Sequence, residues 1–138
     1  MRLTYISYMI YFKQSQPEPD EYRITFFEDP ETKRTPVQEY LESLSQKEQI
    51  KIGKYINFLR EQKGVLDDPY TRHIRDKLRE LRVDFGKNRH RILFFTFVGK
   101  NIILLSAFLK RTEKTPESEI TKALNNYHKV INNPHLYD

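Results

Sequence analysis

The side chains of this 138-residue chain best equipped for chemistry are its cations. Arg72, Arg75, Lys77, Arg79, Arg82, Lys87, Arg89 and Arg91 crowd one short stretch, and Lys110, Arg111 and Lys114 follow. Residues 1–68 hold 10 basic and 12 acidic side chains, whereas residues 69–138 hold 14 and 7, so the whole net charge of +5 is C-terminal. A basic face of this kind either binds phosphates or is a solvated surface. Arg82 and Arg91 weigh toward a ligand. Both stand in β-like runs with apolar neighbours, where a charged residue needs edge protection or a bound group to justify it. Arginine pairs with phosphate through two parallel hydrogen bonds and lysine acts as a point charge.

His90, between Arg89 and Arg91, is the candidate for proton transfer; a surface histidine at a strand end is its plain alternative. The four histidines His73, His90, His128 and His135 lack ligand spacing, and the chain has no cysteine. No metal and no cofactor is therefore assigned. Gly-rich phosphate loops, nucleophile elbows and H-E-x-x-H are missing from the sequence, as are disulfide scaffolds and thiol nucleophiles.

The elements that must position these cations follow from periodicity. Tyr22, Ile24 and Phe26 alternate with Arg23 and Thr25, which predicts a first strand. Thr35-Pro36, with Gln38 at the capping-box spacing, starts a helix whose Val37, Tyr40, Leu41 and Leu44 share one face. Ser45 and Glu48 repeat the capping signal, and Ile52, Tyr55, Ile56 and Leu59 form a second apolar stripe up to Gly64. Residues 70–80 have no clear period and read as a turn or short helix.

From Leu81 the period becomes two: Leu81, Val83 and Phe85 face one way, Glu80, Arg82 and Asp84 the other. Two further strands, rich in Phe and Ile, span 89–98 and 102–109, joined by turns so short that the three must run antiparallel. Phe94, Phe95, Phe97 and Phe108 read as core in preference to base-stacking platforms. Thr115-Pro116 caps a last helix with Ile120, Ala123, Leu124, Tyr127 and Ile131 on one face, which needs the sheet or a partner as cover. The expected class is α+β, in the order β-α-α-β-β-β-α: an antiparallel sheet with helices packed on one face and the other free for polar groups.

The length suits one domain with a real core, and 38% hydrophobic residues with 13% aromatics argue against disorder throughout. Residues 14–21 (QSQPEPDE) read as a linker, so residues 1–21 form an appendage, 22–132 the domain and 133–138 a tail. The apolar stretch 3–12 is about half the roughly 20 residues of a membrane-spanning helix and lacks a cleavage site, so neither a membrane anchor nor secretion is expected. Met9 offers a later start of translation. The expected compartment is the cytoplasm, in keeping with zero cysteines.

The stretches L-R-E-L-R (78–82), R-I-L-F-F (91–95) and I-I-L-L-S-A-F-L-K-R-T-E-K-T-P-E-S-E-I (102–120) together resemble the HigB-type branch of the RelE/ParE toxin superfamily, including its phage-derived relatives. The resemblance covers roughly residues 22–132, and the element order read above is also that family's. It implies a RelE-like fold and the toxin of a type II toxin–antitoxin pair. Such a toxin is a messenger-RNA endoribonuclease, acting as a rule in the ribosomal A site and silenced by a tight antitoxin, here expected to be a small helix-turn-helix protein.

Carried over by motif, Arg82 and Arg91 fall on the RNA-facing sheet and Lys110, Arg111 and Lys114 on the basic exit of the last strand. Arg79, Lys87 and Arg89 extend the RNA-binding set. The chemistry so implied is metal-free: the 2′-hydroxyl attacks its own phosphate, so a proton must leave, a phosphorane must be neutralised and the 5′-oxygen must be protonated. Arg82, Arg91 and Lys110 neutralise; His90 transfers protons, with Tyr127 or a desolvated lysine as substitutes. Family members often carry an aromatic residue where this chain has His90. Two other uses stay open, since fold does not fix function: a ParE-like, non-enzymatic inhibitor of DNA gyrase, and an inactive nucleic-acid-binding remnant.

Overall fold

The computed structural model describes residues 21–98 and 100–137. The appendage expected over residues 1–21 lies outside the described residues except for Glu21, whose carboxylate stands 3.5 Å from Arg60. The elements are β1 (Arg23–Phe26), α1 (Pro36–Glu42), α2 (Gln46–Glu61), β2 (Thr71–Arg75), β3 (Leu78–Phe85), β4 (Asn88–Phe97), β5 (Asn101–Leu109) and α3 (Glu117–Asn132), with a 3-10 turn at Pro134–Leu136. The fold is α+β and RelE-like, with the order β-α-α-β-β-β-β-α and a five-stranded, mostly antiparallel sheet.

The sheet order is β1-β5-β4-β3-β2. Strands β2 to β5 form an antiparallel meander, and β1 joins its far edge parallel to β5. The added strand, β2, replaces the turn or short helix expected over residues 70–80. Its sequence, TRHIR, has weak strand periodicity, yet Thr71, Arg72 and His73 pair with Leu81, Glu80 and Arg79. Cross-strand hydrogen bonding outweighed local propensity, and the charges on this edge strand discourage pairing with another chain.

The helices do not share one face, as expected from the sequence; they cover both. Val37, Leu41, Ile52, Ile56 and Leu59 of α1 and α2 pack on Leu81, Val83, Ile92 and Phe94. On the opposite side Ile120, Ala123 and Val130 of α3 pack on Leu93, Phe95, Ile103 and Leu105. The physical reason is that β4 and β5 are apolar on both sides, so each side needs a cover. The apolar face of α3 is thus taken by the sheet, except that Ile131, expected on that face, is exposed and Val130 is buried instead, because the helix is rotated to bring Val130 onto the strands. The segment expected as a tail also packs back: Tyr137 joins this second core, and its carbonyl accepts from the Asn101 side chain at 2.9 Å. Phe94, Phe95 and Phe108 are buried in these cores and Phe97 is half-buried.

Local chemistry sets the boundaries of the elements. Ser45 caps α2, its Oγ accepting from the Glu48 N–H and donating to the Glu48 carboxylate at 2.8 Å. Thr35 makes no such side-chain bond, and α1 relies on Pro36 at its start. Gly64 ends the turn after α2 with φ +75°, and a Cβ there would meet the Thr96 hydroxyl at 2.8 Å. No helix among the described residues is long and apolar enough to cross a membrane.

Candidate nucleic-acid interface

Period-two alternation and strand register together decide which cations meet. Arg82 lies directly opposite Arg91, which in turn lies opposite Phe108; Asp84 lies opposite Arg89, and Arg72 opposite Glu80. All of these point to the face that carries α3. The Arg82 N–H turns away from β4 to the Tyr70 carbonyl at 2.9 Å, so the Arg82 and Arg91 pair is of the close, non-hydrogen-bonded kind. Like charges in that position repel unless counter-charges surround them.

Two carboxylates supply part of that counter-charge. Arg91 is fully buried; its Nη1 donates to Asp84 at 2.8 Å and to the His90 carbonyl at 2.9 Å. Burial works against the charge on Asp84, but the hydrogen bond from Arg91, with the charges of Arg82 and Arg89, holds its carboxyl below its ordinary value. Glu80, also fully buried, lies 3.9 Å from Arg91 Nε and accepts from the Thr115 hydroxyl at 2.5 Å. Thr115, expected as a helix cap, makes no cap bond, and so ties the loop before α3 to the sheet instead. Arg82 is half-buried, 3.6 Å from Asp68.

Lys110 completes the cluster. The residue is only 6% exposed, and its ammonium donates no hydrogen bond to any described residue. Burial pushes it below the ordinary lysine value; Glu80 opposes that, and Arg91, Arg82 and Arg72 add to it. Three buried side-chain atoms of the cluster lack hydrogen-bond partners: Glu80 Oε1, Arg82 Nε and Arg91 Nε. Buried polar atoms without partners mark a place where solvent or a ligand completes the bonding, and here most are cationic donors.

The other residues singled out from the sequence lie elsewhere. His90 is the main correction, because alternation along β4 turns it to the α1 and α2 side, away from the arginines. There it is buried between the Tyr40 hydroxyl, 2.7 Å from Nδ1, and the Glu48 carboxylate, 2.6 Å from Nε2. Burial opposes the charge on Glu48, but hydrogen bonds from Ser45, His90 and Asn88 hold it below the usual carboxylate value. Burial, with the Glu48 charge adding and Arg111 opposing, pushes the Tyr40 phenol up to about 12. The histidine is a pin between β4 and both helices.

Arg79 also points to that side, bonding the Leu66 carbonyl at 3.3 Å and Thr71 at 2.9 Å. Lys87 is exposed in the β3–β4 turn, Arg89 is half-buried on the arginine side, and Arg111 and Lys114 are exposed in the loop after β5. Tyr127 lies edge-on to Phe95 at 4.7 Å, four residues and roughly 13 Å of strand from Arg91. Glu80, Asp84 and Thr115 were not singled out. Period two had placed Glu80 and Asp84 beside Arg82; only cross-strand register puts them against Arg91. Among the described residues no group of three His, Asp or Glu side chains could hold a metal ion.

A family model described as Phage derived protein Gp49-like (DUF891) matches residues 39–128. This span runs from α1 into α3 and contains every residue of the cluster. The chain belongs to this Gp49-like family, which is part of the RelE/HigB-like toxin group. No curated protein matches the chain.

Proposed function

We propose that this protein is the toxin of a type II toxin–antitoxin pair and that it cuts messenger RNA, working with the ribosome in the cytoplasm. The observation that carries this reading is the row of Arg82 and Arg91, directly opposed, beside Lys110, a residue only 6% exposed. A phosphodiester supplies what that row lacks: negative charge and several acceptor oxygens at one point. Family membership suggests a HigB-like toxin, and RNA cleavage is the finer reading of it.

The cleavage needs little beyond charge and position. The RNA's own 2′-hydroxyl gives up its proton to solvent and attacks the adjacent phosphate, closing a 2′,3′-cyclic phosphate and expelling the 5′-oxygen. Arg82 and Lys110 neutralise the phosphorane, and Arg91 holds positive charge beneath them. A lysine held below its ordinary value gives up a proton more readily, so Lys110 is the donor for the departing 5′-oxygen. His90 faces the other side of the sheet and takes no part. Alignment of the RNA strand on the ribosome supplies the rest of the barrier lowering. The partner that silences such a toxin is a dedicated antitoxin covering this basic face.

The test is inducible expression beside an Arg82→Ala variant, with the 5′ ends of total messenger RNA mapped. Growth arrest with new in-frame cuts that the variant loses supports the proposal. Arrest without cuts overturns it in favour of a gyrase poison, read by a supercoiling assay, and absence of arrest favours an inactive binding remnant.

A further inference from the structure

Arg91 is the most deeply buried cation of the cluster, and RNA cannot touch it while its present cover stays in place. Its side chain is 1% exposed, whereas Asp84, the one carboxylate among the described residues in hydrogen-bond contact with it, at 2.8 Å, has a side chain 61% exposed. We propose that the Asp84 carboxylate occupies the seat of a phosphate oxygen on Arg91, and that a phosphodiester of the RNA takes this seat by displacing it. The inference rests on the reading of the face as an RNA site, and it turns Arg91 from a charge beneath that site into a direct contact.

The two partners differ in freedom. The guanidinium is held: Nη1 also donates to the His90 carbonyl at 2.9 Å, and the residue is flanked by Arg82 on β3 and Phe108 on β5. The carboxylate can leave. Its backbone is fixed, since the Asp84 carbonyl accepts from Lys51 Nζ, but its side chain stands largely in water beside the β3–β4 turn. Rotating it outward breaks one hydrogen bond and strips no water from the charge, so the cost is that of a partly solvated ion pair. Glu80 has no such freedom: with its side chain 1% exposed it stays under the cations, 3.9 Å from Arg91 Nε.

A phosphodiester fits this seat better than Asp84 does. Arg82 and Arg91 are directly opposed, with Cα atoms about 4.5 Å apart in a pair of this kind. Of the two, Asp84 bonds only Arg91; Arg82 is left with Asp68 at 3.6 Å, and each arginine keeps a buried Nε without a partner. Two non-bridging oxygens on one phosphorus reach both guanidinium groups at once. Without RNA, Asp84 offsets the repulsion between the opposed arginines, so one residue serves the sheet and guards the site. A purely structural Asp84 and a displaced one give opposite signs on removal. Losing a structural partner loosens Arg91 and weakens binding, whereas losing a competitor strengthens it.

The experiment measures the affinity of the full chain for a short 2′-O-methylated single-stranded RNA, which cannot be cleaved, in wild type, Asp84→Asn and Glu113→Gln, while carbon NMR follows the Asp84 carboxyl of wild type. Glu113 is an exposed acid three residues beyond Lys110 and controls for net charge. Asp84→Asn is expected to bind about tenfold more tightly, the worth of one charge-assisted hydrogen bond, and Glu113→Gln to gain less than about threefold. The Asp84 signal moves to that of a solvated carboxylate as RNA saturates wild type. Unchanged or weaker binding by a folded Asp84→Asn, or a gain matched by Glu113→Gln, overturns the proposal, and so does an Asp84 signal that RNA leaves in place. If Asp84→Asn does not fold, that signal alone decides. If wild type binds no RNA, the RNA reading fails; inorganic pyrophosphate then replaces RNA as the probe, and a displaced Asp84 signal supports the seat while an unmoved one overturns it.

Discussion

His90 and Arg91 are adjacent in the chain and lie on opposite faces of the sheet. The imidazole is held by Tyr40 and Glu48 on the helical-hairpin side, while the guanidinium reaches Asp84 on the α3 side. One peptide joins the two environments: the His90 carbonyl accepts from Arg91 Nη1 at 2.9 Å. Substitutions at these neighbours therefore report on different things.

His90→Ala leaves a buried carboxylate and a half-buried phenol without their shared partner. The expected loss is about 2–3 kcal/mol of stability, typical of stranded buried polar groups. Urea denaturation measures it. RNA affinity, compared below the unfolding transition, stays near wild type; a loss of cleavage out of proportion to folding would contradict the placement of His90 outside the site.

Arg91→Ala and Arg82→Ala separate stability from binding. Removing Arg91 strands the buried Glu80, which costs about 3–5 kcal/mol. Arg82 is half-buried and only 3.6 Å from an exposed Asp68, so its removal costs under about 1 kcal/mol while weakening RNA binding. Denaturation curves paired with an RNA titration check both. Similar melting points for the two variants would show that Arg91 is not the structural member of the pair.

Two glycines with positive φ are expected to differ on substitution by alanine. Gly86, at φ +58°, has open space around it, so Gly86→Ala costs only the backbone penalty of about 1 kcal/mol. Gly64, at φ +75°, has the Thr96 hydroxyl 2.8 Å from where a Cβ would stand, so Gly64→Ala costs more, about 2–3 kcal/mol. Adding Thr96→Ser to Gly64→Ala keeps the offending hydroxyl and restores little; Thr96→Ala restores part of the loss.

The link between the loop before α1 and α3 depends on acid pH. Lys129 meets Asp29 at 2.6 Å, and this bond, with the Thr32 and Glu31 N–H groups, lowers the Asp29 carboxyl from 3.8 to about 2. A carboxylate with a depressed value stabilises above its unfolded value, and the contribution is lost as pH falls through the folded one. Melting temperatures of wild type and Asp29→Asn should differ above pH 4 and converge between pH 3.8 and about 2. A gap that persists unchanged at pH 2 would mean that packing, not charge, accounts for it.

Much of this molecule could be read along the chain. The apolar stripe from Ile52 to Leu59, the Ser45 cap and the alternation from Glu80 to Phe85 are local periodic signals, and a period fixes which side chains share a face whatever lies around them. The concentration of positive charge near Arg82, Arg91 and Lys110 is likewise a property of order alone. The sequence by itself thus determined the class of fold, most element boundaries and the sign of the charge on the candidate face.

Only tertiary structure decided the rest. TRHIR is a strand because β3 offers it hydrogen bonds, and α3 lies on the far face because β4 and β5 are apolar on both sides. His90 left the candidate site because a one-residue step along a strand crosses the sheet. Arg91 proved to be buried, and Glu80 to lie beneath it, because cross-strand register is fixed by packing between elements distant in the chain. Period two shows that two residues lie on the same side of a strand, whereas which residues on other strands they meet depends on register, which no local pattern carries.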